Sequence, residues 1–185
     1  NADYAFVLHI IKSMNQNGRA GIVLPHGVLF RAGSEGRIRE QILKNDLVEA
    51  IISLPPKLFY GTGIPVAVLI LNKNKADQKK NKVLIIDAEK DFLEGKNQNT
   101  LRPQDITRIV KTYDAYADVE KYARLVDISE IAENDYALNI KQYIDSTEKE
   151  EVIDVKKVRA EIKVLKKEFA EIDSKVEKYL DELGY

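Results

Sequence analysis

Ser53-Leu-Pro-Pro-Lys-Leu-Phe-Tyr-Gly-Thr-Gly-Ile-Pro-Val-Ala-Val-Leu-Ile-Leu-Asn-Lys73 is the stretch around which the rest of the chain arranges itself. Val66 to Leu71 is an unbroken apolar run bounded by Gly and Pro, the pattern of a strand buried on both faces. The first half cannot continue a ladder, because Pro55 and Pro56 lack backbone donors and force the residues before them into extended conformations. Gly61-Thr-Gly63 then supplies two freely rotating positions directly after Phe59 and Tyr60. Two aromatic residues are therefore expected on a loop at the mouth of a sheet. The residue pattern leaves two roles open to them: hydrophobic plugs over the sheet end, or a stacking platform for a planar ligand such as a nucleobase.

Working outward, Leu47 to Leu54 alternates as a second buried strand, and a loop of about ten residues with no helix suits an antiparallel neighbour. Gly18 to Pro25 reads as a short buried strand ended by proline, preceded by a helix from Asp3 to Met14 with Asp3 as N-cap. That helix is apolar nearly all round, at Tyr4, Phe6, Val7, Leu8, Ile10, Ile11 and Met14, which predicts burial on two sides. Ser34 is expected to cap a helix running to about Lys44, with the narrow stripe Ile38, Ile42 and Leu43 laid on the sheet. Lys73 to Lys82 is a polar turn, and Val83 to Asp87 reads as an edge strand. Residues 1–87 thus predict an α/β domain, half of a doubly wound sheet.

Residues 88–146 predict a mixed extension. Gly95-Lys-Asn-Gln-Asn-Thr100 is a polar loop, Pro103 opens a helix to about Tyr113 with Ile106, Ile109 and Val110 as its buried stripe, and Tyr116, Tyr122, Tyr136 and Tyr143 pack a peripheral layer. Residues 147–185 carry the clearest periodicity. Val155, Val158, Ile162, Leu165, Phe169, Ile172, Val176, Tyr179 and Leu183 fall three and four apart, a heptad seam on one long helix. A stripe this narrow predicts docking on a partner helix; folding back on the chain's own body is the other reading.

The chain has 185 residues, 44% hydrophobic and 32% charged, with a net charge of −1, so nucleic-acid binding would need local patches rather than global attraction. The absence of cysteine excludes disulfides and thiolate chemistry, and His9 and His26 are the only imidazoles. No apolar run reaches the roughly 18 residues of a membrane span, and a cytosolic fragment of a longer chain is expected. No nucleophile-base pair, P-loop or metal-ligand spacing occurs, and Gly61-Thr-Gly63 precedes a strand instead of following one, so it is not a dinucleotide fingerprint. Arg31, Arg37 and Arg39 cluster after the first strand, on the carboxyl edge where open α/β sheets bind ligands. They could hold phosphates, or pair with Glu35 and Glu40 on a solvated helix start.

Asp3-Tyr-Ala-Phe-Val-Leu-His-Ile10, Gly18-Arg-Ala-Gly-Ile-Val-Leu-Pro-His-Gly-Val-Leu-Phe-Arg31, Leu58-Phe-Tyr-Gly-Thr-Gly-Ile-Pro65 and Gly95-Lys-Asn-Gln-Asn99 together resemble the C-terminal part of the modification (M) subunit of type I restriction-modification systems, an N6-adenine DNA methyltransferase. The resemblance implies the C-terminal half of a Rossmann-like S-adenosylmethionine-dependent methyltransferase sheet, followed by a helical tail ending in a coiled-coil-like helix. That family's cofactor motif, acidic-x-Phe-x-Gly-x-Gly, and its catalytic Asn-Pro-Pro-Phe/Tyr are expected before Asn1, and Leu54-Pro55-Pro56 lacks the asparagine. Phe6 matches the aromatic that walls the adenine pocket of S-adenosylmethionine. Phe59 matches the aromatic that packs on the flipped-out target adenine, a ring needed because an extruded base has lost its stacking partners. The long helix resembles the element that docks on the specificity (S) subunit. DNA, that subunit and the restriction (R) subunit are the implied partners, with no metal. The isolated chain is expected to be inactive and to self-associate through its exposed first strand and its seam. The alternative from another class is a non-catalytic protein-protein interaction module.

Overall fold

The structure, a computed structural model, describes residues 2–144 and, beyond them, Arg159, Ile162, Lys163, Leu165, Lys166, Phe169, Ile172, Asp173, Val176, Leu180 and Leu183. The chain divides into two units, Asn1–Ser146 and Thr147–Tyr185.

The first unit is built on a five-stranded sheet of β1 (Arg19–Pro25), β2 (Val48–Leu54), β3 (Val66–Asn72), β4 (Lys82–Asp87) and β5 (Ala123–Asp127), in the order β1-β3-β2-β4-β5. β3 runs antiparallel between β1 and β2, with Val23 opposite Val68 and Ile52 opposite the same Val68 on the other side. β2 and β4 are parallel, and β5 closes antiparallel on β4. The carboxyl ends of β1, β2 and β4 therefore share one edge of the sheet with the start of β3.

Alternation along the strands feeds two cores. Val48, Ile51, Leu69, Leu71, Val83 and Ile85 point to the side covered by α1 (Asp3–Ser13) and α2 (Ser34–Lys44), together with the short helices α4 (Ile128–Glu133) and α5 (Ile140–Tyr143). Ala50, Ile52, Leu54, Leu84 and Ile86 face α3 (Pro103–Ala115) through Ile109, together with Tyr122 just before β5. Each fully buried Ile or Leu contributes about 1.5–3 kcal/mol.

Several expectations are corrected. β1 lies at a sheet edge, in keeping with an exposed first strand, but it is not the buried strand its apolar run suggests, and its Val23 is exposed. β4 is interior, because the short strand Ala123-Arg-Leu-Val-Asp127 pairs with its outer side. On α1 only Tyr4 and Val7 are buried, and Phe6 and Leu8 stay exposed, since among the described residues the helix is covered from one side. Neither Asp3 nor Ser34 caps its helix. The caps are Ala2 and Gly33, and Asp3 sits inside the first turn, where its carboxylate accepts from Arg31. On α3 the buried face is Asp105, Ile109 and Thr112, while Ile106 and Val110 are exposed. That face is held on the sheet by polar bonds to β2: Tyr113 donates to the Glu49 carboxylate at 2.7 Å, and Tyr116, just past the helix, donates to the Glu49 carbonyl at 3.0 Å.

Glu49 explains much of how α3 sits. It is the extra residue of a β-bulge in β2, where Val48 pairs with Leu71 and Ala50 already with Ile70. Its carboxylate is 1% exposed and takes hydrogen bonds from Lys79 at 2.9 Å, from Tyr113 and from Asn72, with Arg19 at 3.5 Å. Burial opposes its ionisation, yet the hydrogen bonds from Lys79, Asn72 and Tyr113 hold its carboxyl below the usual value. The same carboxylate acts on Tyr113, whose hydroxyl is pushed up to about 12 by burial and by its bond to Glu49. A depressed carboxyl contributes stability that is complete above its unfolded value, near 4.5, and is lost as pH falls through the lower folded value. Denaturant midpoints measured from neutral pH down to about pH 3 should therefore fall, and Glu49→Gln should flatten that fall. An unchanged acid slope in the variant would count against this role.

In the second unit the described residues are helical, and Ile162, Leu165, Phe169, Ile172, Val176 and Leu183 are exposed. Val155, Val158 and Tyr179 of the expected seam lie outside the described residues. Among the described residues no helix is long and apolar enough to cross a membrane.

Candidate functional site

The carboxyl edge of the sheet gathers the features that sequence singled out. β2 ends at Leu54, Pro55 and Pro56 turn the chain out, and residues 55–65 form the loop that returns as β3. Within it Lys57 and Gly61 adopt left-handed backbone, with φ of 56° and 75°. Glycine takes this conformation without strain, whereas at Lys57 the surroundings must impose it.

Phe59 is 47% exposed and Tyr60 89%. The Phe59 ring helps line a cavity of about 240 Å³ whose other walls are Val23, Leu24, Pro25, Thr62 and Ile64. That is several times the roughly 30 Å³ occupied by a water molecule. Phe59 therefore stands at an open apolar slot at the end of β1, with one part of its surface free for a further planar contact.

A second cavity of about 240 Å³ lies beside it, lined by His26, Leu29, Phe30, Pro65, Glu89 and Lys141. Here the strand ends are tied together. His26 Nε2 is 3.1 Å from the Val66 carbonyl and 3.1 Å from Ser53 Oγ. A carbonyl only accepts, so Nε2 carries the hydrogen, and the Ser53 hydroxyl donates to Glu89 at 3.0 Å. Glu89 faces His26 Nδ1 at 3.6 Å and Lys141 at 4.0 Å. Serine, histidine and glutamate in this order suggest a hydrolytic triad, but the assignment of protons forbids it. The imidazole nitrogen nearest Ser53 is not free to accept, and Ser53 is fully buried. The network instead joins the ends of β1, β2 and β4 to the start of β3.

The three arginines differ in their partners. Arg39, expected as a phosphate contact, is 4% exposed and donates to the carbonyls of Tyr136 at 2.7 Å, Val28 at 3.0 Å and Arg31 at 3.0 Å. It braces the turn in which Asp135 and Tyr136 both take positive φ, and is not available to a ligand. Arg31 pairs with Asp3 at 2.9 Å and Glu35 at 3.3 Å, while Glu40 pairs with Lys44 rather than with an arginine. Arg37 is exposed. Phe6 is 66% exposed on α1. Among the described residues no group of three potential ligands could hold a metal ion.

Composition and periodicity gave no sign of Ser53, Glu89 and Lys141, which come from β2, the end of β4 and α5 and meet only in the fold. Gln98 and Asn99 also belong to the site, since both bond to the loop before Phe59; in the sequence they stand in the polar run from Gly95 to Thr100 and in one of the stretches that carry the family resemblance, with no role attached.

The sheet and its loaded carboxyl edge define an α/β protein that presents an aromatic-walled site where such sheets place their ligands. Residues 1–152 match the family described as N-6 DNA Methylase, and the chain belongs to that family. Its relatives include the type I restriction enzyme MjaVIII methylase subunit of Methanocaldococcus jannaschii, 40% identical over 187 residues, covering 100% of this chain and 32% of the relative. The HindI methylase subunit of Haemophilus influenzae is 31% identical over 198 residues, covering 100% of this chain and 44% of the relative. Among solved structures, the type I restriction-modification system methyltransferase subunit from Streptococcus thermophilus superposes with a TM-score of 0.74 at 44% identity, covering 78% of this chain and 31% of that one. The chain thus spans about a third of the length of the MjaVIII methylase subunit it matches.

Proposed function

We propose that this chain forms the target-base side of a DNA adenine-N6 methyltransferase, the methylase subunit of a type I restriction-modification system. The observation that carries the reading is the half-exposed Phe59 ring over an apolar slot, in a chain of the N-6 DNA methylase family. An adenine taken out of the duplex loses its neighbours, and a fixed ring with a free face replaces them while the slot excludes water. The open Phe6 ring on α1 suits a flat contact with the adenine of S-adenosylmethionine. When bound, S-adenosylmethionine supplies an electrophilic methyl group. Of the arginines, Arg37 alone is assigned a phosphate contact, because Arg39 and Arg31 are engaged within the chain. The segment from Val155 through Val158, Ile162, Leu165, Phe169, Ile172, Val176 and Tyr179 to Leu183 is assigned to docking on a specificity subunit, which would supply sequence readout. The restriction subunit would join through that complex.

The test is incubation of the full-length methylase subunit carrying this segment, with its specificity partner, duplex DNA and methyl-labelled S-adenosylmethionine. N6-methyladenine is the expected product by mass spectrometry of the digested DNA. Label in cytosine, or in no base, contradicts the reading. The 185-residue chain by itself, whose sequence holds no Asn-Pro-Pro-Phe/Tyr, should transfer no methyl group.

A further inference from the structure

The loop that carries Phe59 has little of its own to hold it. Pro55 and Pro56 offer no donors, and within residues 59–64 the side-chain bond is that from the Ile64 backbone to Thr62 at 3.2 Å. Its left-handed Lys57 must be imposed from outside.

The outside support is a second loop. Leu93 and Thr100 exchange both backbone hydrogen bonds, at 2.8 and 3.0 Å, and so close the turn that holds Gly95-Lys-Asn-Gln-Asn99. From that turn the Asn99 side-chain amide donates to the Pro56 carbonyl at 2.9 Å and the Asn99 backbone donates to the Lys57 carbonyl at 2.8 Å. The Gln98 amide donates to the Leu58 carbonyl at 2.6 Å. Three consecutive carbonyls immediately before Phe59 are thus each taken by a donor from two adjacent residues. The Asn99 amide cannot be turned round, because its oxygen accepts from the Gly95 backbone at 3.3 Å while its nitrogen faces a carbonyl. Asn99 is 6% exposed, so its donors have no competing water. Gly95 is required by close approach: a Cβ there would lie 2.0 Å from the Gln98 carbonyl oxygen.

We propose that Asn99 and Gln98 are positioning residues for base capture, clasping the Pro56, Lys57 and Leu58 carbonyls so that the Phe59 ring is set before the base arrives. This rests on the methyltransferase reading above. A stacking surface that must first be ordered loses part of its stacking energy to that ordering, and a clasp made in advance removes the loss. The clasp gives its donors to the Pro56, Lys57 and Leu58 carbonyls and is assigned none toward phosphate or base. It should leave DNA affinity, which comes mainly from backbone contacts, almost unchanged.

The experiment is a double-mutant cycle in the full-length methylase subunit with its specificity partner. Asn99→Ala and Gln98→Ala are each made alone and combined with Phe59→Ala, with single-turnover methyl transfer and DNA binding measured for all. 2-Aminopurine at the target adenine reports stacking through its emission. Asn99→Ala alone is expected to slow methyl transfer about five- to tenfold, the worth of one buried hydrogen bond. DNA affinity should hold, and the emission should move toward the Phe59→Ala value. Gln98→Ala should shift both in the same direction. In the Phe59→Ala background neither substitution should slow the reaction further, since the ring through which they act is gone. Equal losses in both backgrounds overturn the proposal, as does an impaired Phe59→Ala enzyme beside unimpaired Asn99→Ala and Gln98→Ala enzymes. An unimpaired Phe59→Ala enzyme instead overturns the stacking role on which the clasp depends. Should Asn99→Ala fail to fold, the more exposed Gln98 carries the same cycle.

Discussion

Replacing Glu49 by alanine is expected to destabilise the protein by about 3 kcal/mol, the scale of breaking a buried ion pair from one side. The reason lies in what would remain. Lys79, Tyr113, Asn72 and Arg19 converge on this single carboxylate, and Lys79 also lies over the Tyr113 and Tyr116 rings at 5.2 and 4.3 Å. Without the carboxylate the Tyr113 hydroxyl loses its acceptor, and Lys79 keeps a charge with no counter-ion at the bulge. Glu49→Gln preserves shape and one acceptor oxygen and should cost less than alanine. Urea unfolding checks this through a fall in the midpoint at unchanged slope. In thermal unfolding the same loss corresponds to roughly 10 °C for a chain of this size. A midpoint within experimental error of the unmutated protein would mean that the cluster contributes nothing net.

The cluster also shows where sequence reading reached and where it stopped. Val66 to Leu71 and Leu47 to Leu54 declared themselves as paired strands, because apolar runs bounded by proline and glycine have few other places to go. Glu49 gave no such sign. A charged residue inside a strand pattern reads as surface, and only the bulge that turns it toward α3 makes it interior. Arg39 is the same case on a helix, counted among possible phosphate contacts when its donors were already committed to three carbonyls. β5 is illegible for a different reason: Ala123-Arg-Leu-Val-Asp127 is short and carries a charge at its second position and its last, so it lacks the run that marks a buried strand. Without β5, β4 reads as an edge. Of the α3 stripe Ile109 is buried as expected, but Ile106 and Val110 are exposed: they outweigh Asp105 and Thr112 in any hydrophobic count, whereas the helix also bonds to Glu49 through Tyr113.

At the site, the aromatic loop was legible since Pro55, Pro56, Gly61 and Gly63 leave few options for the backbone between them. Its supports were not. Gln98 and Asn99 are about forty residues away in sequence, and a carboxamide in a polar run looks the same whether it faces water or a backbone carbonyl.

The second large effect concerns Phe59 itself. Stacking of a base on an aromatic ring is worth about 1–3 kcal/mol by alanine substitution. Phe59→Ala in the full-length methylase subunit should therefore lower methyl transfer by about 10- to 100-fold. The ring is 47% exposed and belongs to a loop rather than to either core, so its loss should leave the fold intact. Phe59→Tyr keeps the stacking face and should retain most of the rate. If the ring were a hydrophobic plug, alanine would act on stability first, and tyrosine would differ little from phenylalanine in either measurement. The decisive experiment is single-turnover methyl transfer to a duplex holding one target adenine, by the unmutated, Phe59→Ala and Phe59→Tyr enzymes, with thermal unfolding recorded for each. A 10- to 100-fold loss is expected for alanine alone, at an unchanged unfolding temperature. A folded Phe59→Ala enzyme that methylates at the unmutated rate contradicts base stacking by Phe59.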